Sequence, residues 1–268
     1  MEFKRVLGRR RSFHYFATWR PVEREKIQAM LEAARRASRA VNTPFFKAVV
    51  TYRDRLSQEE RNQFKTAWEP TVFDFAPVSI FWYHDTEARV AYVDRLKRPG
   101  VPSGALQDNA VMAPLLGWSR RFLSEVILPE LLAPGGRSAP PARGGNSDAA
   151  MAREQALLCA YDEGLAATLV PFDEDGARTV LGVPEVWEPL LAMLVGYPAE
   201  SWEAGGQAPG LPFEDVFFAG SMDTAFERDP QVVARLQSEE LIQEQAPIAW
   251  RKHEIRGLDR MFRLPASR

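Results

Sequence analysis

The chain has 268 residues, 46% hydrophobic and 26% charged, the composition of an ordinary soluble globular protein with room for a substantial core. With 34 Lys and Arg against 36 Asp and Glu, the net charge of −2 gives no overall drive toward nucleic acid or an anionic membrane. One cysteine, Cys159, excludes an internal disulfide, suits a reducing compartment, and reads as a small core residue within an apolar run. No stretch reaches the ~18–20 apolar residues that span a bilayer. No apolar segment follows the N-terminal charges, so a cytoplasmic protein without a secretory signal is expected.

The first element in chain order is a helix over Pro21 to Ala37, with Ile27, Met30, Leu31 and Ala34 on one apolar face and Pro21 in the first turn. Ala48 to Tyr52 is a β-branched run and reads as a strand. Ser57 and Glu60 form a capping box that opens a helix toward Trp68. Pro77 to Tyr83 is rich in strand formers. Pro99 to Arg121 begins in Pro and Gly and then turns helical through Val111, Leu115 and Leu116. Residues 133–147 are mostly Pro, Gly and small side chains and read as a loop.

After that loop, Asp148 is expected to cap a helix through Tyr161, with Ala150, Leu157, Leu158 and Tyr161 apolar, ended by Gly164. Ala167 to Val170 reads as a strand, Asp173 to Leu181-Gly182 as a helix, and Leu190 to Val195 as a buried strand closing on Gly196-Tyr197-Pro198. Gly205 to Pro212 is a loop, Val216 to Phe218 a last short strand, and Asp229 to Gln245 a helix with Pro230 at its start. The tail from Trp250 is basic. Strands separated by helices make a mixed α and β chain.

Chemistry-bearing patterns are few. His14, His84 and His253 lack metal-ligand spacing, so no metal site is expected. There is no phosphate loop, dinucleotide fingerprint or nucleophile elbow. Asp94, Asp108 and Glu125 read as charged helix faces, and Trp68, Trp82 and Trp118 as core or pocket lining. The exception is Arg9-Arg10-Arg11-Ser12-Phe13-His14-Tyr15-Phe16. There a basic cluster with a hydroxyl precedes one amphipathic helix, and the amide of Asn42 follows it. Guanidinium forks, a hydroxyl and an amide suit an anion-bearing cofactor with a polar ring edge.

The order and spacing of these residues resemble the opening of the FMN-dependent nitroreductase family. A second match runs from Asp148 through Val183-Pro184, where an alanine-rich helix ends at Gly164-Leu165, leads into a strand, and is followed by a helix closing at Leu181-Gly182. Leu191 to Glu200 resembles the family's last core strand with its Gly-Tyr-Pro ending. The resemblance covers roughly residues 5–52 and 148–218.

The resemblance implies an α+β nitroreductase-like fold with a central, mainly antiparallel sheet flanked by helices. It implies a single domain over 1–268 and an interlocked homodimer. About 53–147 would be a divergent insertion and about 220–268 a basic C-terminal extension. It also implies FMN, with NAD(P)H as electron donor and a nitroaromatic, quinone or similar small acceptor as substrate; neither nucleic acid nor membrane is a partner. Because the divergent middle lies where the family builds its substrate cover, a specialised FMN oxidase or dehydrogenase of a biosynthetic metabolite stands beside that reading. A cofactor-free binding protein that keeps only the fold is the third.

By position, Arg10, Arg11 and Ser12 fall at the phosphate and ribityl chain. His14 falls at the pyrimidine edge, Asn42 at the ring, and Val170 and Pro171 on the segment facing the flavin N5 region. No protein side chain is assigned a catalytic role, because the cofactor carries the chemistry. The sequence departs from the family at several points. Residues 205–212 hold no cation, and His14 replaces a permanent cation. Ser38-Arg39 replaces Pro-Ser, the segment after Asn42 is shortened to Pro44-Phe45, and no family polar residue stands near Trp68 to Asp74. Arg9, Arg39, or the tail residues Arg251, Lys252 and Arg256 are the candidates to supply the missing charge.

Overall fold

The computed structural model describes residues 2–38, 45–67, 71–88, 141–245 and 248–264. Their frame is a four-stranded antiparallel sheet in the order β1-β2-β4-β3, with β1 Phe46–Tyr52, β2 Val78–Asp85, β3 Ala166–Val170 and β4 Trp187–Gly196. One row of the register runs Val50, Ile80, Met193, Leu169 across all four strands.

Every residue of β2 is buried, so its period of two sorts side chains between two hydrophobic layers. Val78, Ile80 and Trp82, with Met193 and Val195 of β4, face the layer formed by α2 (Arg24–Arg35) and α5 (Pro141–Asp162). Phe81 and Tyr83, with Ala192 and Leu194, face an aromatic layer of Phe13, Phe16, Phe64, Phe73 and Phe172. The remaining α-helices among the described residues are α1 (Phe3–Arg9), α3 (Gln58–Asn62), α4 (Val72–Phe75), α6 (Glu174–Leu181), α7 (Pro230–Ser238) and α8 (Arg251–Met261). This is the mixed α+β arrangement, with an antiparallel sheet and flanking helices, that the sequence leads one to expect.

The β2–β4 register shifts between Phe81 and Tyr83, where Pro189 pairs with Tyr83. Pairing with β3 begins only at Ala192, so the proline interrupts β4 where that strand has no second neighbour.

Local signals account for most boundaries. Both bonds of the Ser57–Glu60 capping box form. The Asp173 carboxylate accepts the Gly176 N–H at 2.8 Å, and α6 ends at left-handed Gly182. Gly164, at φ 73°, lets the chain reverse from α5 into β3, its N–H bonding to the Tyr161 carbonyl at 3.0 Å. Cys159 packs beside the α2–α5 layer, and burial, followed by Glu163 and Asp162, pushes its thiol pKa up. That setting suits packing rather than nucleophilic attack.

Several expectations need correction. The first amphipathic helix starts at Arg24, not Pro21. Its approach is held extended by the Tyr197 hydroxyl, which donates to Glu23 at 2.7 Å, and by Arg20 stacked 3.2 Å over the Tyr197 ring. The capping-box helix stops at Asn62, because Phe64 turns into the aromatic layer. Asp148 is not a helix start: α5 begins at Pro141, within the segment read as a loop, and proline suits a first helical position. Along α5 the buried stripe is Ala149, Ala152, Ala156 and Ala160, not Ala150, which is exposed. These small side chains let α5 lie close against α2.

Beyond the sheet, Val216 to Phe218 is not a strand: a 3-10 turn over Phe213–Asp215 precedes it, and a single bridge joins Phe218 to Ala225. The last sequence-derived helix ends at Ser238, not Gln245. Glu240 takes a positive φ, and the Leu241 N–H turns back to the Leu236 carbonyl at 2.9 Å. The readings over 99–121 and 133–140, and at Trp68, Asp94, Asp108, Trp118 and Glu125, lie outside the described residues.

Among the described residues the buried Tyr83 hydroxyl has no hydrogen-bond partner, and burial raises its phenol pKa to about 12. The unfolded phenol titrates near ~10. The native state therefore keeps its proton to higher pH. The stability this contributes is complete below pH ~10 and is lost as pH rises toward 12. Tyr83→Phe removes an orphan donor and is expected to stabilise the protein by roughly 1 kcal/mol and to lessen the alkaline loss. Thermal denaturation at pH 8 and pH 11 checks both; a lower melting temperature for the variant at pH 8 would refute the assignment of an unpaired hydroxyl.

Candidate functional site

The site begins with an extended segment laid across the end of the sheet where β3 starts and β4 finishes. Ser12 bridges Ala167 in parallel, and the Phe13 N–H donates to the Ala167 carbonyl at 3.3 Å. Farther along, Ala17 N–H reaches the Tyr197 carbonyl at 2.8 Å and Ala199 N–H reaches the Tyr15 carbonyl at 2.9 Å. Phe13 and Phe16 are its buried anchors. Gly196 permits the fit, since a Cβ there would stand 2.6 Å from Pro77 and 3.1 Å from Phe16.

Extended backbone alternates its side chains. Arg11 and Phe13 are buried, Ser12 and His14 are exposed, and Arg10 is half-exposed. Three polar groups, Arg10, Ser12 and His14, therefore share the solvent side of the strip.

Arg11 has a different environment. Its Nη1 donates to the carbonyls of Gly8 at 2.6 Å and Arg10 at 2.9 Å, its Nη2 to Gln243 Oε1 at 2.7 Å, and its Nε to the Glu203 carbonyl at 3.2 Å. Burial lowers its pKa, against an opposing pull from Glu203. Four of the fork's five donors thus bind α1, the 203 loop and the 243 segment together. The sequence placed Arg11 beside Arg10 as an open anion ligand; period-two alternation turns it inward.

Three other basic residues of the N-terminal cluster are paired with the C-terminal segment. Lys4 pairs with Glu239, and Glu240 takes both Arg9 and, at 3.3 Å, Arg5. Arg10 has only Glu154 of α5, at 3.8 Å, as an ion-pair partner among the described residues. Arg9 is therefore committed and cannot freely supply the missing charge. Arg39 and Asn42 lie outside the described residues.

The loop after Gly-Tyr-Pro is joined to the same C-terminal segment. The Gln207 N–H donates to the Glu244 carbonyl at 3.0 Å, its side chain to the Leu241 carbonyl at 3.1 Å, and the Gln243 N–H to Gln207 Oε1 at 3.2 Å. From α8, Arg251 comes beside Gly205, but like Arg9 it is committed and not free to supply the missing charge. Its guanidinium binds the carboxylates of Glu200 and Glu254. Burial acts to lower its pKa, but the two carboxylates more than offset this and the net shift is upward. Lys252 and Arg256 are exposed.

Val170 is buried at the end of β3, and Pro171 beyond it is exposed. Trp202 meets Phe13 and Tyr161 edge-on, with centroids 5.4 and 5.2 Å apart. Sequence reasoning missed Trp202, Gln243 and Asp259, and took Glu200 only as the end of the stretch resembling the family's last core strand. One signal was available: Glu200 is the first charge after Glu188 along an apolar stretch, so burial with a partner could have been anticipated.

Among the described residues, no cluster of three or more His, Cys, Asp or Glu could hold a metal ion, and no helix is long and apolar enough to cross a membrane.

No protein-family model matches the chain. A relative from Thermus thermophilus, an NADH dehydrogenase, is 28% identical over 196 residues, which is 73% of this chain and 85% of that protein. A nitroreductase family protein from Streptococcus pneumoniae superposes with a TM-score of 0.60 at 18% identity, covering 81% of this chain and 100% of that one. A structure from Exiguobacterium sibiricum, described as a nitroreductase in complex with FMN, gives 0.59 at 17% identity, covering 81% and 96%. The sheet order, the flanking helices and these superpositions agree: the chain has the nitroreductase-like fold.

Proposed function

We propose that the chain is a flavin-dependent oxidoreductase, a divergent relative of the nitroreductases, that holds FMN along the exposed side of residues 10–14 and works as a homodimer. The observation that carries this reading is the alternation placing Arg10, Ser12 and His14 together on the solvent side of a strip hydrogen-bonded to β3. A permanent cation and a hydroxyl fit a phosphate and a polyol chain, and a ring nitrogen fits a polar ring edge. Arg10 and Ser12 take the phosphate end, His14 the ring edge, and Val170 and Pro171 border the ring. Arg11 serves by holding the strip rather than by an open fork. Bound FMN supplies hydride chemistry between NAD(P)H and a small acceptor such as a nitroaromatic or quinone. The flavin in the Exiguobacterium structure and the name of the Thermus relative support this reading.

The dimer is supported by residues 211–232, an arm that is exposed almost throughout. Leu211 and Met222 are each 74% exposed, Phe226 52% and Phe217 51%. At roughly 150–250 Å² for a whole aromatic side chain, the arm offers several hundred Å² of apolar surface. That matches the ~300–600 Å² of the largest, often functional, patch on a soluble monomer and approaches the ~800 Å² that each partner gives a standard interface.

One observation favours the cofactor-free reading: Lys4, Arg5 and Arg9 are spent on Glu239 and Glu240. Absorbance spectra, FMN titration, sedimentation and stopped-flow mixing decide between them. Purified protein is expected to be yellow, to sediment as two chains, and to bleach with NADH or NADPH before reoxidation by a nitroaromatic or quinone. A protein that stays colourless and ignores added FMN sinks the flavin reading. One that holds FMN but is bleached by neither nucleotide is instead a specialised oxidase. A single-chain mass at micromolar concentration removes the dimer.

A further inference from the structure

Glu200 has a fully buried side chain, and both its oxygens are engaged. Oε1 accepts the backbone N–H groups of His14 at 2.7 Å and Tyr15 at 3.1 Å. Oε2 binds Arg251, which also holds Glu254, and Glu254 in turn accepts the Ser201 N–H. The Ala199 N–H returns a bond to the Tyr15 carbonyl at 2.9 Å. Residues 14–15 and 199–200 therefore clasp one another through backbone on one side and a carboxylate on the other. A second brace comes from the same helix: the Tyr15 hydroxyl donates to Asp259 of α8 at 2.8 Å, and Phe262 packs 5.7 Å from the Tyr15 ring.

We infer that Glu200 is a positioning residue for the strip Arg10–Ser12–His14, and that Arg251 of the C-terminal helix makes a buried carboxylate tolerable there, so that α8 sets how well the strip binds a phosphate-bearing flavin. This rests on the flavin reading above. A buried carboxylate is costly unless paired and hydrogen-bonded. Here it fixes two consecutive N–H groups of the segment whose alternation creates the binding side. Without Glu200, those two donors lose a charged acceptor. Without Arg251, the carboxylate is left as an uncompensated negative charge beneath a site for an anion. Neither residue touches the ligand; each acts through the backbone of residues 14 and 15.

The test is FMN titration of the full chain, read by flavin fluorescence, for wild type, Glu200→Ala, Glu200→Gln, Arg251→Met and the Glu200→Gln/Arg251→Met double variant. The amide oxygen of glutamine still accepts both N–H groups. Glu200→Ala is expected to weaken FMN binding about tenfold or more, while Glu200→Gln stays within about threefold. Arg251→Met is expected to cost about tenfold in the wild-type background and less than about twofold beside Glu200→Gln, where the buried charge is gone and only the part-exposed Glu254 loses its partner. Equal binding by Glu200→Ala and wild type, no rescue by glutamine, or the same Arg251→Met cost in both backgrounds would each overturn the inference. Amide hydrogen exchange at His14 and Tyr15 reads the clasp without the flavin. Exchange should quicken in Glu200→Ala, and unchanged exchange overturns the clasp. A wild type that binds no FMN yet shows that quickening refutes the flavin reading while leaving the clasp in place.

Discussion

Gly8→Ala is expected to lower thermal stability by several degrees, against the usual preference of helices for alanine. Gly8 lies in α1, where alanine would ordinarily gain ~1 kcal/mol. Here an added Cβ would stand 1.9 Å from the Glu240 carbonyl oxygen and 2.7 Å from Leu241 Cα. Both atoms are backbone, so no rotamer relieves the clash, and residues 239–243 must lift away. The ion pairs of Lys4, Arg5 and Arg9 with Glu239 and Glu240 would loosen with them, as would the Arg11–Gln243 bond. Exposed ion pairs contribute little each, ~0–1 kcal/mol, so the steric term dominates. Forcing a methyl into a packed contact costs about 1–3 kcal/mol, and each kcal/mol moves the melting point of a domain this size by about 2–4 °C. Differential scanning calorimetry measures the shift, and proteolysis should find a new cleavage near residues 239–245. An alanine variant as stable as the parent would mean that the C-terminal segment is not seated on α1.

Arg10→Ala is expected to weaken FMN binding about ten- to a hundredfold with little change in folding stability. The guanidinium is half-exposed, its ion-pair partner among the described residues is Glu154 at 3.8 Å, and surface changes of this kind usually lie within ±0.5 kcal/mol. A charge-assisted contact to phosphate is worth about 1.5–3 kcal/mol, which is the predicted loss. Arg11→Ala should behave differently. It removes four bonds that join α1, the 203 loop and the 243 segment, so the melting temperature should fall even without flavin. Measuring affinity and melting temperature for both variants separates ligand from scaffold. Unchanged FMN affinity in Arg10→Ala would remove Arg10 from the phosphate site.

What could be read from the sequence was what neighbouring residues decide. The Ser57 capping box, the Asp173 cap, the helix ends at Gly164 and Gly182, and the apolar face of Ile27, Met30 and Ala34 all depend on residues within a turn or two. The strands were legible because β-branched and aromatic runs such as Val78 to Tyr83 leave few alternatives. Contacts between distant segments were not legible. Nothing local says that Glu239 and Glu240 fold back onto Lys4, Arg5 and Arg9, or that Arg251 meets Glu200. The Arg9 to Arg11 run therefore read as one open basic cluster. The fold gives its members three roles: Arg9 in an ion pair, Arg11 as a buried tie, and Arg10 at the surface. A start site was also mislocated where tertiary packing chose it, at Arg24, where Tyr197 and Glu23 hold the approach.

The arm of residues 211–232 bears on how the protein behaves on dilution. Its Phe217, Met222 and Phe226 are exposed in the single chain, so if the proposed homodimer covers them their burial exists only in the associated state. Mass action then ties folding to association, and the melting temperature rises with protein concentration. Dilution alone would return these side chains to water and leave a chain prone to stick to surfaces and to itself.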